Sequence, residues 1–335
     1  MKSIKRVMSM TIIIMLIIAV SVGCSQKGKT ESKGEISFAN AGWESNMFHN
    51  AVAGLITEKV YGYSWREIPG TTPVTHEGLL KGEIDVHMEV WTNNILTYME
   101  DIKEGKLQEL GVNFDDNYQG FYVPRYVIEG DKSRGIEALA PDLKYVWDLK
   151  KYADIFPDDD EPNMGRVYGA IPGWEVDTIM HNKYLHYGLD ENFIYFRPGS
   201  DPALSAAITN AYEKGEPIVA YYWEPTWLMG KYDFVLLEDE PFDGDTYLDG
   251  KTTLPTVKVA VGVSNNFAES APKEMLDFLG KYKTSSALTS EALAYMQDED
   301  AGYEETAEWF LKTNDYLLDE WLTPDEAQII RDFLK

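Results

Sequence analysis

Tyr221-Tyr222-Trp223-Glu224-Pro225-Thr226-Trp227 sets the pattern from which the fold is read. The run 217–222 is rich in β-formers and ends at Trp223; the proline that follows cannot join a ladder but fits the first turn of a helix. Trp223 is therefore expected where a strand gives way to a helix. The same order recurs. Residues 36–40 lead into Gly42-Trp43-Glu44-Ser45, residues 84–90 into Trp91-Thr92-Asn93-Asn94, and residues 167–171 into Pro172-Gly173-Trp174-Glu175. In an open α/β sheet, ligands bind outside the carboxyl ends of the strands. Indoles delivered to such ends predict the walls of a pocket.

Working outward, strands are expected at 36–40, 64–68 and 84–90, separated by helices near 46–60 and 73–81. A second series places strands at 167–171, 193–196 and 218–222, with helices at 175–187 and 202–214 between them. Such alternation predicts an α/β chain whose sheets are mainly parallel, with crossover helices. The extended run 120–128, interrupted by Pro124, is expected to cross between two lobes. Strands at 234–237 and 257–263 then return the chain, and helices near 273–282, 285–296, 303–318 and 324–334 close it. The expected division is a leader at 1–23, a tether at 24–34, a first lobe at 35–126 with 238–335, and a second lobe at 127–237.

The amino end carries Lys2, Lys5 and Arg6 before an apolar run over 7–22, which reads as an export signal too short to span a bilayer with its flanks. The single cysteine, Cys24, follows Ser21-Val22-Gly23, which resembles the lipobox of bacterial lipoproteins with Ser21 where leucine is usual. That resemblance implies a lipid anchor at Cys24 and a place on the extracytoplasmic face of the bacterial cell membrane. With one cysteine, no disulfide can form within the chain. The formal net charge of -26 excludes nucleic acid, because phosphate neutralisation needs clustered Lys and Arg. A cationic or zwitterionic ligand is favoured.

An indole face attracts a cation with about 0.5 to 2 kcal/mol per ring, so a cage of three gives roughly 2 to 6 kcal/mol. This suits a quaternary ammonium, which has no hydrogen to donate. Trp65, Trp147, Trp309 and Trp321 lie inside amphipathic stretches and read as core, whereas Trp91, Trp174 and Trp223 share the strand-end position. Trp43 and Trp227 stand between the two readings. Glu89, two residues before Trp91, would share that indole's face of a strand, which makes it the candidate cation-facing acid. Glu44, Glu175, Asp177 and Glu224 fall at expected helix starts, where negative charge is favourable without any ligand. His49, His76, His87, His181 and His186 are dispersed, with no metal-ligand spacing, and no nucleophile elbow or phosphate loop occurs. The chain reads as a receptor without cofactor or metal, not as an enzyme.

Gly82-Glu83-Ile84-Asp85-Val86-His87-Met88-Glu89-Val90-Trp91, the Pro172-Gly173-Trp174 turn, and Gly215-Glu216-Pro217-Ile218-Val219 running into Trp223-Glu224-Pro225-Thr226-Trp227-Leu228-Met229 resemble the glycine betaine/proline betaine substrate-binding proteins of ABC transporters. The resemblance implies a two-lobe, type II periplasmic-binding-protein-like fold. Each lobe would be a mixed, mainly parallel sheet flanked by helices, with the ligand in the interlobe cleft and permease subunits of the membrane as partners. It implies an aromatic box of Trp91, Trp174 and Trp223, and backbone amides matching Asn46 and Met47 on the ligand carboxylate. Unpaired amides at a helix start favour an anion. Where many relatives have histidine, this chain has Thr226, whose hydroxyl brings no positive charge. The ligand therefore stays open between glycine betaine and a choline- or carnitine-type compound. A different class of reading, an extracellular carbohydrate-active protein, would use Glu175 and Glu224 as paired acids beside tryptophan platforms; a third is a surface protein with no small ligand.

Overall fold

The computed structural model describes residues 32–335; the expected leader and Cys24 lie outside them. No helix among the described residues is long and apolar enough to cross a membrane. The chain opens with β1 (Glu35–Asn40), α1 (Glu44–Ile56), which continues into a π-helical turn at Thr57–Tyr61, and β2 (Ser64–Pro69). Next come α2 (Thr72–Lys81), β3 (Val86–Trp91), α3 (Tyr98–Lys103) and β4 (Leu107–Phe114). The second lobe holds β5 (Gln119–Pro124), α4 (Arg125–Glu129), β6 (Gly165–Tyr168), α5 (Glu175–His186), β7 (Phe193–Phe196), α6 (Asp201–Lys214), β8 (Ala220–Trp223), α7 (Trp227–Lys231) and β9 (Phe234–Leu236). The return to the first lobe is made by β10 (Val259–Ser264), followed by α8 (Asn265–Ser270), α9 (Lys273–Lys281), α10 (Ser286–Asp298), α11 (Tyr303–Thr313), α12 (Tyr316–Trp321) and α13 (Pro324–Phe333).

The first sheet runs β2-β1-β3-β10-β4 and the second β7-β6-β8-β5-β9. In the first, β1 is parallel to β2 and β3, while β10 lies antiparallel between β3 and β4. In the second, β6 is parallel to β7 and β8, while β5 lies antiparallel between β8 and β9. These are two mixed sheets flanked by helices, the type II arrangement. In each, the chain leaves β1 or β6 for the edge strand on one side and then returns to the other side, which opens a switch-point crevice between β1 and β3 and between β6 and β8. The four strands beside those crevices are the ones that precede Trp43, Trp91, Trp174 and Trp223. Strands β3, β8 and β10 are buried at every position, as helices on both faces of a sheet require.

Several expectations are corrected. The run 120–128 does not cross between lobes: it forms β5 and α4 of the second lobe, and its Phe121, Tyr122 and Val123 are core. The crossing lies just before it, at 115–118. Strand β4 carries no clear alternation because it is a half-exposed edge, and it escaped the pattern reading. The helix expected over 303–318 breaks into α11 and α12 at Asn314-Asp315. Pro225 is not in a first helical turn. It precedes Thr226, whose Oγ1 accepts from the Met229 amide at 3.3 Å and so starts α7 at Trp227. Of the four tryptophans read as core, Trp321 is buried beside Tyr282, and Trp65, edge-on to Phe38, and Trp309, stacked on Tyr295, are half-buried against the same core; Trp147 is half-buried and stacks on Tyr145 outside it.

The two crossing segments are clipped together by one side chain. Asn117, fully buried, donates from Nδ2 to the Val257 carbonyl at 2.7 Å and accepts from the Val257 amide at 3.0 Å. It substitutes for a ladder where neither sheet reaches. Replacing it with alanine leaves two buried backbone groups without partners, so Asn117→Ala is expected to destabilise the protein by about 1–3 kcal/mol in chemical denaturation; a change within experimental error would mean that water replaces the clip.

Candidate functional site

Between the lobes lies a narrow cavity, with about 30 Å3 of room for water and about 430 Å3 only when space open to solvent is counted. The first lobe lines it with Trp43, Thr72, His87, Glu89, Trp91, Asn94 and Ile95, and the second with Trp174, Glu175, Val176, Tyr221 and Trp223. The indoles arrive by two local devices, one of each kind per lobe. Trp91 and Trp223 are the last residues of β3 and β8. Trp43 and Trp174 are the extended residues that precede α1 and α5, each following a glycine in the left-handed region, Gly42 at φ +93° and Gly173 at φ +91°. That glycine turns the chain so that the indole projects beyond the sheet edge.

The rings meet across the cleft. Trp174 lies edge-to-face against Trp43 of the other lobe, centroids 5.5 Å apart at 84°, and against Trp223 at 5.0 Å and 85°. Tyr221 lies nearly parallel to Trp223 at 5.9 Å. Behind Trp91 stands Phe114.

Glu89 anchors the first-lobe side. Its carboxyl is 0% exposed, yet it borders the cavity. Oε2 accepts from Trp43 Nε1 at 2.7 Å, Ser45 Oγ lies 2.9 Å from Oε1 and 3.1 Å from Oε2, and Trp91 supplies a further side-chain hydrogen bond. Burial pushes this carboxyl up to about 8, against the pull of those donors. His87, whose Nδ1 accepts from the Glu89 amide at 3.2 Å, is pushed down to about 3 by burial and is neutral.

The other expected site residues lie elsewhere. Asn46 is buried in the first turn of α1, its Oδ1 accepting from the Ala41 amide at 2.9 Å. The Met47 amide donates to the Trp43 carbonyl at 3.3 Å as a bond of α1, and its side chain faces a separate surface groove. The amide at the start of that helix, Glu44 N, is bonded by a carboxylate of the protein itself, Asp201 of the second lobe. Thr226 caps α7 and does not line the cavity. Trp227 borders a shallow groove beside Glu44 and Gln297. Of the two acids in the carbohydrate reading, Glu175 lines the cavity, whereas Glu224 turns to Tyr122 and does not face it. No cluster of residues that could hold a metal occurs among the described residues.

Two lining residues were within reach of the sequence. His87 and Tyr221 lie two positions before Glu89 and Trp223, on the same strand faces, so the period-2 rule that selected Glu89 selects them too. Thr72 and Asn94 carried no such signal, because one enters from the start of α2 and the other from a turn. The lobes also touch directly: the Thr72 amide donates to the Gly173 carbonyl at 3.2 Å, and a Cβ on Gly173 would stand 2.6 Å from Thr71 Cγ2.

A family model described as the substrate-binding domain of the ABC-type glycine betaine transport system matches residues 34–313. Among solved structures, the chain is similar to the glycine betaine/L-proline-binding protein of an ABC transporter from Borrelia burgdorferi, at 20% identity and a TM-score of 0.70, covering 88% of this chain and 99% of that one. It is also similar to an ABC-transporter choline-binding protein in complex with choline, at 20% identity and a TM-score of 0.70 over 90% and 98% of the two chains. A third likeness is to a lactococcal binding protein in its closed form with glycine betaine, at 19% identity and a TM-score of 0.67 over 87% and 100%. At such identities the likenesses speak for the fold. No curated protein matches the sequence.

Glu44, pushed up to about 7 by burial and the Asp201 charge, and Glu89 hold protons that the unfolded chain has lost. A carboxyl raised in this way stabilises the fold fully below its unfolded value near 4.5 and loses that contribution as pH rises through the folded value. Buried His49 and His87 act in the opposite sense, but only below about 6.5, where unfolded histidine takes up protons. The unfolding free energy of the unliganded protein is therefore expected to fall by on the order of 2 kcal/mol from pH ~6.5 to ~8.5, and Glu89→Gln should remove most of that fall. Denaturant titrations across this range measure it; a flat wild-type profile would contradict the burial of these acids.

Proposed function

Because the chain belongs to the family of substrate-binding domains of ABC-type glycine betaine transport systems, we propose that its interlobe cavity captures a quaternary ammonium compound in a cage of Trp91, Trp174 and Trp223, with Trp43 as a fourth ring. The observation that carries this reading is the set of edge-to-face contacts Trp43–Trp174–Trp223, which draws indoles from both lobes around one cavity whose other large wall is Trp91. A tetraalkylammonium has no proton to donate, so ring faces are the surface that can hold it. Trp174 and Trp43 come from different lobes and already touch, so a cation held against the two rings would keep the lobes in a closed form.

The protein acts as a receptor that hands its ligand to permease subunits and carries out no chemical step. Export by the leader at 1–23, lipid attachment at Cys24, a tether at 24–34 and a place on the extracytoplasmic membrane face belong to the same reading. So does the division into lobes at 35–126 with 238–335 and at 127–237, except that the first crossing is best set at 115–118.

Two experiments test the cage. Thermal unfolding of the purified chain against glycine betaine, proline betaine, carnitine, choline, proline and sugars should show stabilisation by ammonium compounds alone, worth about 2.7 kcal/mol at a hundredfold excess over Kd. Trp174→Ala should weaken binding of the stabilising compound by at least ~1 kcal/mol; unchanged affinity would remove Trp174 from the cage.

A further inference from the structure

The surroundings of Glu89 contain no positive charge. No lysine or arginine lines the cavity, and its ionisable lining is Glu89, Glu175, His87 and Tyr221, the last kept protonated by burial. Around Glu89 the titratable groups are His87 on the same strand, His49 on α1 and Tyr282 just after α9. His49 and His87 are kept neutral by burial. Tyr282 is kept protonated by burial and the nearby Glu89, and its hydroxyl lies 2.9 Å from His49 Nδ1. Beyond His87, His76 is paired with Asp101 at 2.9 Å. A fully buried carboxyl among neutral donors can be neutralised by a proton, or by a cation brought in from outside.

Resting on the cage reading, we propose that Glu89 is the exchangeable counter-charge of the site: it keeps its proton before a ligand enters and releases it to solvent when a quaternary ammonium ion occupies the cage, so that net cations are selected over zwitterions. The geometry allows both states without moving the rings. Protonated on Oε1, the carboxyl donates to Ser45 Oγ at 2.9 Å while Oε2 still accepts from Trp43 Nε1; ionised, both oxygens accept. Glu89 thus holds the indole of Trp43 in place in either state, and only its charge changes. A zwitterion gains less here. Its own carboxylate offsets its ammonium, and of the groups expected to receive that carboxylate the Met47 amide is bonded to the Trp43 carbonyl and Thr226 lies off the cavity.

Titration calorimetry of choline, tetramethylammonium and glycine betaine from pH 6 to 8.5, in two buffers of different ionisation heat, tests this on the wild-type chain. Choline and tetramethylammonium are expected to release close to one proton near pH 7, with Kd falling by up to tenfold per pH unit as the carboxyl is made easier to ionise. Glycine betaine is expected to bind more weakly than choline at pH 8. In Glu89→Gln the proton release and the pH dependence should both vanish, a result that a merely structural role would not produce; if that variant does not fold, the wild-type proton count decides alone. Tight choline binding with no proton released and Kd constant within twofold overturns the role of Glu89 and leaves the cage standing. Preference for glycine betaine at every pH overturns the charge selection. Failure of all three compounds to bind overturns the cage and this inference together.

Discussion

The hydrogen bond from Trp43 Nε1 to Glu89 Oε2 joins two strand ends that the chain reaches separately, one after β1 and one on β3. Everything at the cavity's first-lobe wall is referred to it. Ser45 completes the carboxyl's partners, the Glu89 amide fixes His87, and the fixed Trp43 ring gives Trp174 of the other lobe an edge to meet. A buried carboxyl is an expensive group to keep, costing several kcal/mol if ionised without a partner. Its retention here, between indole donors and beside a cavity, is the clearest sign that the wall serves more than packing.

Lobe-to-lobe contact follows the same economy of charge. The protein is strongly acidic, and acids from both lobes meet at the edge of the cleft, Glu44 from the start of α1 and Asp201 from the start of α6. Both are shifted toward their neutral forms by burial, Asp201 to about 6. Asp201 also takes the amide that begins α1, with Ser205 Oγ as a second donor at 3.0 Å. A carboxylate of the second lobe thus sits at the first residue of α1. Asn117 performs the complementary task at the crossings, where it holds the two connecting segments together without a ladder.

The sequence by itself determined the alternating plan and the devices that aim the indoles. β-formers followed by tryptophan at four places, two of them after glycine, gave the strand ends, because strand geometry and a positive-φ turn are local properties of a few residues. Period 2 placed Glu89 beside Trp91 for the same reason. Only the tertiary structure decided what those groups meet. That Trp43 and Trp174 touch, that Thr226 caps a helix instead of facing the cavity, that Asp201 occupies the α1 amide, and that β4 completes an edge all depend on residues far apart in the chain. Such contacts leave no periodic trace, since they are fixed by how two sheets and their helices fit together in space and by which buried polar groups must find a partner there.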